Sequence, residues 1–313
     1  MRHERHNRLP TGAPLVNRRG LGCYRGMNAH VATLVARLQE QPSHTGSLVL
    51  TLMGDAIMPR GGSVALSTIL DLCAGLDIGP GVVRTAVSRL AADGWLVAER
   101  QSRASFYAIG PDRRGEYVRA ARHIFGPARH PQVDRMTLIL LDPGDSRESV
   151  RHRLTRLGFV AWQNVMIAPE RPLPPSVAAS VLAVTAQANA ATLPRLAARA
   201  WRLESLAGHY GGFIETFGPI ARAAPDLEPR DAILTRILLI HDYRRIMLRD
   251  PRLPTAFLPP GWIGDGARHL CATLYAALRP ASELWLDREA ITRAGGLPPP
   301  DSSLAHRFAD VTL

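Results

Sequence analysis

Residues 80–109 read PGVVRTAVSRLAADGWLVAERQSRASFYAI, and this stretch decides the fold. Pro80 suits the first turn of a helix, where its missing N–H would have had no partner anyway. Val83, Ala86, Val87 and Leu90 then recur at three and four residues and so face a core, and Gly94 stops the helix. The outer face carries Gly81, Arg84, Thr85, Ser88 and Arg89, with no acid before Asp93. These side chains reach base edges and phosphate oxygens. Residues 95–100 and 105–109 follow, rich in aromatic and β-branched side chains, and Gln101, Ser102, Arg103 and Ala104 separate them. They predict a β-hairpin with a basic tip.

Upstream, Ser43 is a candidate N-cap, and Leu48, Val49, Leu52, Met53 and Ile57 have helical spacing up to the break at Pro59-Arg60-Gly61-Gly62. A second helix is expected from an N-cap at Ser67, with Ile69, Leu70, Leu72 and Cys73 buried, ending at Gly75. On that stripe Cys73 reads as a small core side chain rather than a reactive thiol. A fourth helix, residues 113–125, follows the hairpin. Three helices and a hairpin in this order are the plan of a winged helix-turn-helix, in which the third helix enters the major groove and the wing touches the flanking backbone. Arg84, Thr85, Ser88 and Arg89 are then expected to read bases, and Arg100, Ser102, Arg103 and also Arg60 to hold phosphates.

Five segments are expected along the chain: a flexible basic arm (1–42, with Met27 as an alternative start), the winged helix (43–127), a central domain (128–190), a helical C-terminal effector and dimer domain (191–290), and a loose tail (291–313). In the central domain, residues 136–141 form an apolar run that ends at Asp142-Pro143-Gly144, Ser146 caps a helix to about residue 157, and strands at 159–163 and 165–168 precede a helix at 175–183 and a weak strand at 184–187. Strand, helix, two strands, helix, strand is the ferredoxin-like order. Helices dominate from Pro194 onward, with residues 232–248 and 267–278 the clearest. The expected class is therefore α+β.

The 313-residue chain carries a formal charge of +11, and all 38 of its basic side chains are arginine. Residues 1–130 hold 17 arginines against nine acids, and residues 131–313 hold 21 against 18. The excess sits at the front, as expected where a polyanion binds. No apolar run approaches the ~20 residues that cross a bilayer, and the basic start lacks a secretory pattern, so a cytoplasmic location is expected. Cys23, Cys73 and Cys271 lie far apart and indicate neither a disulfide framework nor a zinc site.

The sequence resembles the PaaX family, repressors of phenylacetic acid catabolism, over roughly residues 47–288. The resemblance rests on Ser47-Leu48-Val49-Leu50-Thr51-Leu52-Met53-Gly54-Asp55, Pro59-Arg60-Gly61-Gly62, Val83-Arg84-Thr85-Ala86-Val87 and Gly94-Trp95-Leu96 in the first domain. Leu157-Gly158-Phe159 carries it in the second. Ala198-Arg199-Ala200-Trp201, His241-Asp242-Tyr243-Arg244-Arg245, Leu248-Arg249-Asp250-Pro251-Arg252-Leu253-Pro254 and Leu258-Pro259-Pro260-Gly261-Trp262 carry it in the third. It implies a dimeric repressor that phenylacetyl-coenzyme A, or a related aryl thioester, releases from double-stranded operator DNA. The basic N-terminal arm and Ile263-Gly264-Asp265 depart from the family pattern.

A coenzyme A thioester needs arginines for its phosphates and apolar walls for its acyl group. Arg244, Arg245, Arg249 and Arg252 could supply the first, and Tyr243 and Trp262 the second. The competing reading pairs these arginines with Asp242, Asp250 and Asp265, so that they only hold the loop. Two other function classes fit less of the sequence: a metal-dependent nuclease using Asp142 at a strand end, and an effector-free architectural protein. Asp142 precedes Pro-Gly and so reads as a turn former. No GxSxG, HExxH or P-loop pattern is present, and neither an enzyme nor a bound cofactor or metal is expected.

Overall fold

The computed structural model describes residues 26–40, 45–127, 133–141 and 147–312. Residues 29–40, expected within a flexible arm, instead form helix α1 (Ala29–Glu40). Val31, Leu34 and Val35, spaced at three and four, are buried. Residues 1–25 and 41–44, the last of which include the expected Ser43 cap of the next segment, lie outside the described residues.

Helix α2 (Thr45–Leu52) runs into a π-helical turn, Met53–Ile57, that carries the buried Asp55. Strand β1 (Ser63–Ala65) leads directly into α3 (Leu66–Gly75). Ala65, not Ser67, precedes the first helical turn, and no side chain caps it. Then come α4 (Pro80–Ala92), β2 (Leu96–Gln101), β3 (Ala104–Ile109) and α5 (Arg114–Phe125). β1 pairs antiparallel with β3 from Ser63↔Ala108 to Ala65↔Phe106, so the hairpin is two strands of a three-stranded sheet ordered β1-β3-β2.

The second sheet comprises β4 (Arg135–Leu140), β5 (Val160–Trp162), β6 (Val165–Pro169) and β7 (Leu182–Gln187), with α6 (Arg147–Arg156) and α7 (Pro175–Ala178) between strands. Its order is β5-β6-β4-β7 and all its pairings are antiparallel. Ile139, Met166 and Ala168 on one face of the sheet form a separate small core with Val150, Leu154, Phe159 and Val177. Asp142 and the expected Ser146 cap lie outside the described residues.

Four helices follow: α8 (Thr192–Ala200), α9 (Leu203–Phe217), α10 (Pro229–Met247) and α11 (Ile263–Glu289). α10 is buried on nearly every side, from Ala232 to His241, and shares one core with α1 to α4. α11 runs eleven residues past its expected end, through Pro280. Ser282 Oγ donates to Arg279 O at 3.0 Å, and the buried Trp285 and Leu286 hold the extra turns by packing. The expected loose tail is also packed. Strands β8 (Ile291–Thr292) and β9 (Gly295–Gly296) and helix α12 (Ser302–Ala305) place Leu304 and Phe308 in the core, and Phe308 N–H donates to Phe125 O at 3.0 Å. Among the described residues no helix is long and apolar enough to cross a membrane.

His241, fully buried on α10, ties that helix to α2. Thr51 Oγ1 donates to Ser47 O at 3.0 Å, so its 3.1 Å contact with His241 Nδ1 requires the imidazole to supply the proton. Nε2 is left as a buried acceptor. Burial, with Arg244 and Arg245 nearby, pushes the His241 pKa down from 6.5 to about 3. Below pH 6.5 the unfolded chain therefore takes up a proton that the native chain refuses. The stability this histidine contributes is complete above pH 6.5 and is lost as pH falls toward 3. In denaturant unfolding between pH 6 and 4, His241→Gln is expected to flatten the pH slope of stability by up to about 1.4 kcal/mol per unit. An unchanged slope would contradict this assignment.

Candidate nucleic-acid interface

The position of α4 is fixed from both ends. Pro80 occupies its first turn after the extended Gly79. At the other end Trp95 N–H donates to Leu90 O at 2.8 Å and Gly94 N–H to Ala91 O at 3.1 Å, with Gly94 at φ +72°. That is the double bond of a Schellman termination, in which the left-handed residue suits glycine. The hairpin is rooted at the same point, because Gly110 N–H donates to Trp95 O at 3.0 Å, and a side chain on Gly110 would meet Gly94 O at 2.3 Å. Helix and hairpin therefore hold a fixed relation.

Val83, Val87 and Leu90 bury one side of α4, and Arg84, Thr85, Ser88 and Arg89 are all exposed on the other. Thr85 Oγ1 donates to Gly81 O at 2.9 Å, which leaves its lone pairs free to accept. Val82, which the apolar spacing does not single out, is 55% exposed beside them. An exposed valine here could meet a thymine methyl. The N-terminal turns of α2 and α4 open onto one shallow depression lined by Thr45, Gly46, Gly81, Thr85 and Arg89, and backbone N–H groups at helix starts favour phosphate.

The hairpin register sets Gln101 opposite Ala104, so Ser102 and Arg103 form a two-residue tip with Ser102 at φ +54°. Arg100, Ser102 and Arg103 are exposed. Arg84, Arg89, Arg100 and Arg103 form no ion pair among the described residues. Arg113 differs: it pairs with Glu116 at 2.7 Å and lies over the Trp95 ring at 4.8 Å.

Arg60 does not belong with them. It is 2% exposed, pairs with Glu283 and Asp287 on α11, and donates Nε to Pro298 O at 3.0 Å. The Pro-Arg-Gly-Gly string looks like an open loop, but α11 and the packed tail cover it.

The six expected effector residues are not brought to one place. Tyr243 is 1% exposed and packs on Phe213 and Phe308. Arg244 turns toward α2 and donates to Ser47 Oγ at 2.7 Å. Trp262 packs edge-on against Tyr210 and lines a separate hollow with Asp134 and Pro194. Arg252, in left-handed backbone at φ +51°, lies near Arg268 and Asp310. Arg245 and Arg249 do share a cavity, where Arg37 and His209 join them. Neither was among the expected residues: Arg37 sits on the helix read as an arm, and His209 on α9. Among the described residues Arg244, Arg245 and Arg249 form no ion pair, though Arg245, together with Arg37, acts on the Asp242 carboxylate and favours its charge.

Residues 44–111 match the family profile described as PaaX-like protein, and residues 201–288 match that of the PaaX-like protein C-terminal domain. The chain is 34% identical over 288 residues to the Transcriptional repressor PaaX of Escherichia coli (strain K12), covering 85% of this chain and 90% of that one. The chain belongs to the PaaX family. This places it among transcriptional regulators rather than enzymes. A solved structure, the Uncharacterized protein Rv0674 from Mycobacterium tuberculosis, is similar in fold at a TM-score of 0.51 with 20% identity, over 76% of this chain and 97% of that one. α1 lies outside both matched segments of the PaaX profiles.

Proposed function

We propose that the chain is a dimeric, cytoplasmic, DNA-binding repressor of aromatic-acid catabolic genes, released from its operator by an aryl-coenzyme A thioester such as phenylacetyl-coenzyme A. The observation that carries DNA binding is α4 itself: an Arg-Thr-Ser-Arg face that forms no ion pair among the described residues, locked to a hairpin with a basic tip. We read residues 45–125 as a winged helix, since β1-β3-β2 behind three helices is its plan. We read the second sheet as ferredoxin-like, since β5-β6-β4-β7 is the strand order of that fold. One helix reads only a few base pairs, so two chains on an inverted repeat are expected, with their α4 helices about 34 Å apart or a multiple of it.

The effector reading draws on the family and on the arginines of the C-terminal half. Tenfold release requires the ligand to favour the DNA-free state by about 1.4 kcal/mol, and DNA must then weaken ligand binding by the same factor. The test titrates the protein on a duplex selected from random sequence with phenylacetyl-coenzyme A, coenzyme A and phenylacetate. Release by the thioester and not by free phenylacetate is expected. No release by 100 micromolar thioester, a concentration that corresponds to about 5.5 kcal/mol of binding free energy, would end the effector reading.

A further inference from the structure

A cavity of about 340 Å³ opens between α1, α9 and α10. Its charged lining follows from helical periodicity: Asp242, Arg245 and Arg249 lie three and four residues apart and share one face of α10 and its C-terminal extension. Arg37 comes from α1 and His209 from α9. Arg37, Arg245 and Arg249 form no ion pair among the described residues; Arg245 and Arg37 act on the half-buried Asp242 carboxylate electrostatically and offset part of the cost of its burial. Three guanidinium groups thus face one carboxylate around a floor made apolar by Leu34 and Phe213.

Two glycines on α9 add an independent observation. Glycine inside a helix costs about 1 kcal/mol relative to alanine. Packing within the chain does not call for it at Gly208 or Gly212, because a side-chain carbon added at either would meet nothing within 4 Å. Both line the cavity. Their lack of side chains keeps it open.

α1 also connects this cavity to α4. Two residues beyond Arg37, Gln39 Nε2 donates to Leu76 O at 2.9 Å and to Asp77 O at 3.4 Å. Those carbonyls belong to the turn between α3 and Pro80, the first residue of α4. A ligand that draws on Arg37 therefore pulls on the helix that holds this turn.

We propose that the cavity between α1, α9 and α10 binds a phosphate-bearing organic anion through Arg37, Arg245 and Arg249, and that α1 carries its occupancy through Gln39 to the turn before α4. The excess of two positive charges matches a phosphate monoester dianion better than a carboxylate, and the planar guanidinium donates to phosphate in pairs. The volume suits a nucleotide-sized ligand or ligand fragment. The inference rests on the effector reading and deepens it, by placing the nucleotide phosphates of the thioester here and its acyl chain outside.

Calorimetric titration of the full chain with adenosine 3′,5′-bisphosphate, coenzyme A and phenylacetate tests the site. The bisphosphate and coenzyme A are expected to bind and phenylacetate not to. Arg37→Gln should weaken both by about tenfold, the loss of one charge-assisted contact, and Gly212→Leu should abolish binding by filling the cavity. Gln39→Ala should bind the bisphosphate as the wild type does, yet need several times more phenylacetyl-coenzyme A to release DNA. Affinities of folded Arg37→Gln and Gly212→Leu within twofold of wild type would overturn the site, and phenylacetate binding that depends on Arg37 would overturn the phosphate assignment. If the thioester releases DNA from wild type and from both variants alike, the effector reading stands and this cavity is not its site. If the bisphosphate binds in an Arg37-dependent manner but no thioester releases DNA, the site stands while the coupling and the effector reading fall.

Discussion

Replacing Arg84 and Arg89 together by alanine is expected to weaken binding to a specific duplex by about 2 to 6 kcal/mol, since each base-reading arginine contributes about 1 to 3. Both side chains are exposed and form no ion pair among the described residues, so the fold should lose no more than about 0.5 kcal/mol. Arg103→Ala serves as the contrast. At the wing tip it is expected to weaken all duplexes alike and to lower the salt slope by about one unit, as the loss of one phosphate contact does. Filter binding or anisotropy on selected and scrambled duplexes across a salt series separates the two. A double variant that still binds the selected duplex at wild-type affinity would remove α4 from the interface.

The second large effect concerns stability. Arg236 is fully buried, and burial opposes its charge, but Asp55, Tyr275 and Glu283 outweigh that and hold its pKa above the ordinary value. Its Nε donates to Asp55 Oδ2 at 2.8 Å, and one terminal nitrogen donates to Ser282 Oγ at 3.0 Å and to Glu283 Oε1 at 2.6 Å. Tyr275 O–H also donates to Asp55, at 2.9 Å, and Arg307 pairs with it from the tail. This network joins the π-turn behind α2 to α10, α11 and the C-terminus. Arg236→Ala leaves Asp55 and Glu283 short of a cation and is expected to cost about 3 to 5 kcal/mol, a large part of the 5 to 15 typical of a folded protein. Arg236→Lys should recover little of it, because one ammonium cannot reproduce a planar fork directed at Asp55, Ser282 and Glu283 together. Urea unfolding measures both, and a loss below about 1 kcal/mol in the alanine variant would contradict this account of the network.

The same network explains which features the sequence could not reveal. α4 was legible because its signals are local: a proline at the start, a glycine at the stop and valines at three and four between them. β1 was not, since three residues become a strand only through β3, more than 40 positions away. Arg60 reads as a loop cation until Glu283 and Asp287, more than 220 positions later, are folded against it. Residues 291–313 read as a loose tail because Phe308 finds its partners Phe125, Tyr243 and Tyr275 only in the tertiary fold. At α1 the spacing of Val31, Leu34 and Val35 was present but short, and the arginines and prolines before it hid it. The cavity residue Arg37 was hidden for that reason, and His209 joins it only when α9 packs beside α1, while Arg245 and Arg249 were legible as a cluster without a location.

The central claim is that α4 reads double-stranded DNA as one of a symmetric pair. Selection from a random duplex pool, run in parallel with the wild type and with the Arg84→Ala/Arg89→Ala variant, tests it most directly, with the mass of the recovered complex measured at the same time. The account predicts that the wild type enriches one inverted repeat, with half-sites a whole number of helical turns apart and two chains bound, and that the variant enriches none. Enrichment of the same repeat by both proteins, or no enrichment by the wild type, would contradict it.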